Sequence, residues 1–171
     1  PPAFDILFWN ADTTNLTAGL HSDFLDLLNS NGLAEPGSVE VLGTPIDLAK
    51  VRCDAFVVAG ATDHIIPWTG AYRTTQMLGG DSEFVLGSSG HIQAIVNPPG
   101  NRRSRFLTRP GPPPPDPNEW REGAITSDGS WWDHWLRWLG GRSGPERRAP
   151  TKLGNRRHKP IEPAPGRCVH L

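Results

Sequence analysis

Between Asp54 and His91 the chain reads as two buried strands separated by a helix. Ala55–Ala59 is apolar at every position, without alternation, the pattern of a strand covered on both faces of a parallel sheet. Gly60 closes the run, and Asp63 and His64 follow in the next loop. Pro67 suits a helix start, because its missing N–H falls where no intrahelical acceptor exists. Ala71, Thr74 or Thr75, and Leu78 then share one side, and Gly79-Gly80 stops the helix. Glu83–Leu86 repeats the strand pattern, and the small residues Gly87-Ser88-Ser89-Gly90 form a loop that presents His91. An acid thus follows one strand and a histidine follows the next.

The flanking pattern is less regular. Phe4, Ile6, Leu7, Phe8 and Trp9 form an apolar cluster, and Asp12, Thr13 and Thr14 are turn and cap types. Leu20, Phe24, Leu27 and Leu28 fall on one face of a helix that the turn Asn29–Gly32 ends. Ser38–Leu42 alternates as a short strand, and Asp47 suits the cap of a helical turn in the connector Gly43–Val51. Asn97-Pro98-Pro99-Gly100 forces an extended turn. Arg109–Pro117 holds six prolines, four of them consecutive, and reads as an extended insertion without internal hydrogen bonds. Ser130 suits an N-cap, and Trp131, Trp135 and Trp138 share a helical face that ends at Gly140-Gly141. That stripe reads as core against a sheet, with contact to a hydrophobic surface outside the protein as the alternative.

Composition narrows the class. A chain of 171 residues is expected to form one domain. Its 36% hydrophobic content is low, and 18 prolines with 19 glycines concentrate towards the final third. The net charge of −1 gives no reason to expect nucleic acid as a partner. Cys53 and Cys168 lie far apart in unlike contexts, which is no disulfide framework and suits a reducing compartment. No run approaches the roughly 18 apolar residues of a membrane span, and no signal peptide is visible. Seven of the 17 basic residues lie between Arg142 and Lys159, in a segment too poor in apolar residues to fold alone.

Asp63 and His91 carry the candidate chemistry. Loops at the ends of neighbouring parallel strands can bring them within hydrogen-bond reach, and a carboxylate on Nδ1–H holds an imidazole in the tautomer a general base needs. In α/β-hydrolase sheets the chain order is nucleophile, acid, histidine, and the last two stand here in that order. On spacing alone, a loop acid and a solvated histidine stay open as the alternative. His64 reads as a packing residue beside the acid, and His21 as solvated.

The wording of these segments goes further. TDHIIPW, FVLGSSGHI and IVNPPG, with FDILFWNADTTNL and PIDLAKVRCD upstream and GSWWDHW, APTKLGN and PAPGR downstream, resemble the C-terminal part of polyhydroxyalkanoate synthases. These are the polyester-making branch of the α/β-hydrolase superfamily. The resemblance implies an α/β fold, the C-terminal portion of an α/β-hydrolase with a parallel sheet and flanking helices. It divides the chain into a cap-region segment (1–36), half of the catalytic core (37–141, with the insertion 109–117) and a basic tail (142–171). The family uses a Cys-Asp-His triad, whose acid and histidine fall on Asp63 and His91.

No G-x-C-x-G or G-x-S-x-G elbow occurs in the sequence, and neither Cys53 nor Cys168 has an elbow context. Met77 is the only methionine, so the chain is expected to be a C-terminal fragment, inactive alone, with a degenerate paralogue as the alternative. The implied substrates are an (R)-3-hydroxyacyl-CoA and a growing polyester chain, with CoA released and no cofactor beyond the thioester. The implied setting is a cytoplasmic granule surface, with the full-length protein a homodimer. Arg102, Arg103 and Arg105 could meet the CoA phosphates or form a solvated loop. An esterase or depolymerase on the same scaffold, and a non-catalytic granule-binding remnant, are the other readings. Whether Asp63 orients His91 or acts on the substrate hydroxyl stays open at this level.

Overall fold

The computed structural model of the protein describes residue 11, residues 13–163 and residues 166–167. The cluster Phe4–Trp9, Asp12 and Cys168 lie outside these residues. The chain divides into two compact units, one ending at Trp135 and the other beginning at Leu136.

The first unit begins with helix α1, Ala18–Ser30. Thr17 caps it, its hydroxyl accepting from the Leu20 N–H at 3.4 Å, and Asn31 ends it with a φ of 51°, a left-handed conformation that asparagine tolerates. The apolar stripe is open: exposed Leu20 and Phe24 and half-buried Leu27 line a groove with Val39 and Val41, and Leu28 is exposed beyond it. Periodicity sets which face is apolar and leaves its cover unspecified. The strand expected over Ser38–Leu42 shrinks to β1, Glu40–Val41, paired antiparallel with β2, Thr44–Pro45. The Leu42-Gly43 turn between them has positive φ at both residues, as a two-residue hairpin requires. Asp47 caps the helical turn Leu48–Lys50 through the Ala49 N–H at 3.0 Å.

The main sheet has four strands in the order β3 (Ala55–Gly60), β4 (Ser82–Gly87), β5 (Arg105–Thr108) and β6 (Ile125–Asp128). Only β3 and β4 are parallel; β4–β5 and β5–β6 are antiparallel, so the sheet is mixed rather than parallel. Around β3 and β4 lie the short helices α2 (Trp68–Tyr72), α3 (Thr74–Met77), α4 (His91–Ile95) and α5 (Pro117–Glu122), followed by α6 (Trp132–Gly140). No crossover helix carries the chain back after β4. Ser88 and Arg105 bond to each other where β4 ends and β5 begins, so β5 leaves from that same end and must run the opposite way. The sequence hid β5 and β6 because RFLT and ITSD are short and half polar. The single helix expected from Pro67 to Leu78 forms as α2 and α3, broken at Arg73.

Alternation along the strands covers both faces. On one side Ala59, Phe84 and Leu86 pack against Tyr72 and Trp120; on the other Val85 and Phe106 pack against Trp131. The ring of Phe84 meets those of Tyr72 and Trp120 edge-on at 4.9 and 4.8 Å, the favoured aromatic geometry. The proline-rich segment is tied to this core. The Tyr72 hydroxyl donates to Pro114 O at 2.6 Å, and the Gln76 amide donates to Pro113 O at 3.1 Å. Burial pushes the Tyr72 phenol up to about 12, so it stays a donor at any physiological pH. Asp116 then caps α5 through the Asn118 N–H, with Pro117 at its first position.

In the second unit, the Arg142 guanidinium lies 4.2 Å from the centre of the Trp138 ring. Residues 141–163 are exposed throughout and form no helix or strand.

Trp120 is 1% exposed and touches both Phe84 and Tyr72. Trp120→Ala is expected to cost about 3–5 kcal/mol in urea unfolding. Leu153→Ala, at a residue 87% exposed, should stay within about 0.5 kcal/mol. Equal losses would remove Trp120 from the core.

Candidate active site

The parallel register brings the two candidate residues to one edge of the sheet. Ala59 is level with Leu86 and Gly60 with Gly87, so β3 and β4 end together. The loops beyond stay in contact: the Ala61 N–H donates to Gly87 O at 2.8 Å and the Thr62 N–H to Ser89 O at 3.4 Å. Gly60 makes this approach possible, since a Cβ there would lie 2.7 Å from Ser89 O.

Asp63 is held by its own turn. Its Oδ1 accepts from the N–H groups of Ile65 at 2.9 Å and Ile66 at 3.0 Å, the pattern of an Asx turn. The Ile66 N–H above all, opposed by burial and helped by the His91 ring and the Ile65 N–H, lowers the carboxyl from 3.8 to about 2. The carboxylate is therefore ionised at neutral pH.

His91 opens α4 instead of riding on the loop before it. Its Nδ1 lies 2.9 Å from Asp63 Oδ2 and 3.1 Å from Oδ1. An ionised carboxylate only accepts, so Nδ1 carries the hydrogen and donates it. The lone pair of a neutral ring then sits on Nε2, which has no hydrogen-bond partner among the described residues. The side chain is 38% exposed, against 10% for Asp63, so a reactant can reach it. This arrangement can take a proton at Nε2 while the Asp63 carboxylate balances the resulting charge.

The remaining candidates fall elsewhere. His64 is exposed beside the pair, its ring edge-on to that of His91 at 6.4 Å. His21 is exposed on α1. Arg102 and Arg103 are exposed, and Arg105 pairs with Asp128 at 3.0 Å on the surface. Cys53 is exposed before β3, at the opposite end of that strand from Asp63, roughly 20 Å away at about 3.3 Å per residue. It is no nucleophile for this pair. A second acid–histidine contact, Glu83 with His134, stands at the start of β4 with its ring against Phe56 and Phe106. Among the described residues no group of three or more His, Cys, Asp and Glu is placed to hold a metal ion, and no helix is long and apolar enough to cross a membrane.

Sequence reasoning missed what lies behind α4. The Trp131 indole N–H donates to Ala94 O at 2.7 Å and that of Trp132 to Ile95 O at 3.0 Å. The Ser130 hydroxyl, one residue before the cap position of α6, accepts from the Trp132 N–H at 3.0 Å and donates to Asn97 O. Asn97 in turn bonds to Ser104, both of them buried, and exposed Asn101 donates to the two. The tryptophans stood out in the sequence, but only as a packing stripe.

A carboxyl lowered on folding adds stability above its unfolded pKa and gives it up as pH falls through the folded value. For Asp63 that window runs from about 4 down to about 2. Asp63→Asn should flatten this part of the acid-unfolding curve, read from urea midpoints at pH 4, 3 and 2. An unchanged slope would show that the turn does not hold the ionised form.

No family model matches the chain. Among individual proteins it is 52% identical to poly(3-hydroxyalkanoate) polymerase 1 of Ectopseudomonas oleovorans, over 99% of this chain and 30% of the relative. Poly(3-hydroxyalkanoate) polymerase 2 of the same organism is 53% identical over 99% of this chain and 30% of its own length. The poly(3-hydroxyalkanoate) polymerase subunit PhaC of Cupriavidus necator is 44% identical, over 99% of this chain and 29% of the relative. The chain spans about 30% of the length of the relatives it matches. By sequence the chain is similar, over nearly its whole length, to the C-terminal part of poly(3-hydroxyalkanoate) polymerases.

Proposed function

We propose that Asp63 and His91 are the acid and base of a Cys-Asp-His triad on an α/β-hydrolase sheet. The enzyme is an acyltransferase that polymerises (R)-3-hydroxyacyl-CoA into polyhydroxyalkanoate with release of CoA. The observation that carries this reading is the Nδ1 contact with a carboxylate lowered to about 2, at the shared end of two parallel strands. The names of the relatives favour acyl transfer to a polymer over hydrolysis on the same scaffold.

In this mechanism the cysteine belongs to a part of the full-length enzyme that this sequence does not contain, since it has no G-x-C-x-G. His91 Nε2 takes the thiol proton, and the thiolate attacks the thioester carbonyl. The tetrahedral intermediate collapses with loss of the CoA thiolate, which takes the proton back from Nε2 and leaves an acyl-cysteine thioester. Nε2 then takes the proton of an incoming 3-hydroxyl, whose oxygen attacks that thioester; the ester bond forms as the C–S bond breaks, and the departing cysteine thiolate takes the proton back from Nε2. Asp63 acts by orienting the ring and balancing the imidazolium, not on the hydroxyl. Its oxygens are already engaged by Nδ1 and by two backbone N–H groups. A homodimer at the surface of a cytoplasmic polyester granule completes the proposal.

In the full-length enzyme, His91→Ala should lower CoA release from 3-hydroxybutyryl-CoA or 3-hydroxyoctanoyl-CoA by about a million-fold. Asp63→Asn should lower it about ten-thousand-fold, because asparagine favours the wrong tautomer. Circular dichroism at neutral pH should be unchanged in both. Near-normal turnover in His91→Ala would sink the assignment. The 171-residue chain by itself should release no CoA, and measurable release would place a nucleophile among its own residues.

A further inference from the structure

Five residues make a poor helix. Nucleation is costly, short helices do not persist alone, and the last carbonyls of any helix lack intrahelical donors. Helix α4 also has no side-chain cap at its start, where Gly90 stands. Yet this helix must hold His91 against Asp63. Its final two carbonyls, those of Ala94 and Ile95, are each met by an indole N–H, from Trp131 and Trp132.

We propose that Trp131 and Trp132 are positioning residues for His91, acting through these two hydrogen bonds at the far end of its helix. The role presupposes His91 as the base of the proposed transfer. Successive carbonyls point about 100° apart around a helix axis, so two donors restrain rotation as well as translation, where one would leave a swivel. The arm is short. At about 1.5 Å per residue, Ala94 and Ile95 lie only about 4.5–6 Å along the axis from His91, so a shift at one end reaches the imidazole nearly undiminished.

Both donors are themselves anchored. Trp131 is 8% exposed and sits in the cluster of Val85 and Phe106, against β4 and β5. The backbone of Trp132 is bound by Ser130, whose hydroxyl also reaches Asn97 O just beyond α4. Ala94 is 2% exposed and lies against Gly60 at the end of β3. The sheet thus sets Asp63 through the β3 loop and His91 through the tryptophans.

Ring packing alone is the competing account, and phenylalanine separates the two, since it keeps an aromatic ring and removes the N–H. Trp135 serves as control: it packs against the same cluster, and its indole has no hydrogen-bond partner among the described residues. In the full-length enzyme, with acyl-CoA as substrate, Trp131→Phe and Trp132→Phe should each lower kcat about tenfold with KM unchanged. The double variant should lose about a hundredfold, the scale of a misplacement of about 1 Å. Trp135→Phe should keep wild-type kcat.

Thermal unfolding midpoints are taken alongside, and if Trp131→Phe fails to fold, the partly exposed Trp132 decides. Wild-type kcat in Trp132→Phe overturns the proposal, as does an equal loss in Trp135→Phe or a change confined to KM. His91→Ala in the same series separates the failures. If it still turns over, the base assignment falls; if it is inactive while the phenylalanine variants are normal, only the positioning role falls.

Discussion

The in-register parallel pairing of β3 and β4 is the constraint on which the site depends. Gly60 is level with Gly87, and nothing bulkier than hydrogen fits between Gly60 and the Ser89 carbonyl. Asp63 comes three residues beyond one glycine and His91 four beyond the other. A slip of one residue in this pairing would carry one loop about 3.3 Å past the other, farther than the contact between the two side chains could follow.

Around that frame, local hydrogen bonds decide the direction of the proton. The N–H groups of Ile66 and Ile65 keep the Asp63 carboxyl ionised, and an ionised carboxylate leaves Nδ1 no role but donor. The Nε2 lone pair follows from that alone. The contrast with Glu83 and His134 is instructive, since each pair joins a carboxylate to an imidazole. That pair lies at the other end of β4 with its ring against phenylalanines, so it belongs to the packing of the sheet. Position at a strand end, more than residue type, separates the two.

The mixed sheet has its own consequence. Because β5 runs back beside β4, the chain from His91 to Arg105 stays at the end of the sheet where Asp63 lies. Helix α4 is therefore short, and its support comes from elsewhere in the chain. Trp131 and Trp132, 37 residues on from Ala94 and Ile95, supply it with groups that are both apolar body and polar tip. The same rings pack against one face of the sheet and donate to the last two carbonyls of α4, that of Ile95 being shared with the Asn97 N–H.

Much of this could be read along the chain. The apolar runs located β3 and β4 within a residue or so, because apolar side chains on both faces leave no alternation to misread, although most of β3 is only half-buried. Asp47 was legible as a cap because a cap acts on the next few residues. Asp63 and His91 stood out by following those strands. What needed the tertiary structure was everything set by partners distant in sequence. The direction of β5 and β6, four residues each with little apolar content, was decided by where β4 left the chain. The open stripe of α1 was apolar by periodicity, but periodicity names no partner. The hydrogen bonds of Trp131 and Trp132 could not be read at all, since an indole N–H finds its acceptor only when two segments meet in space.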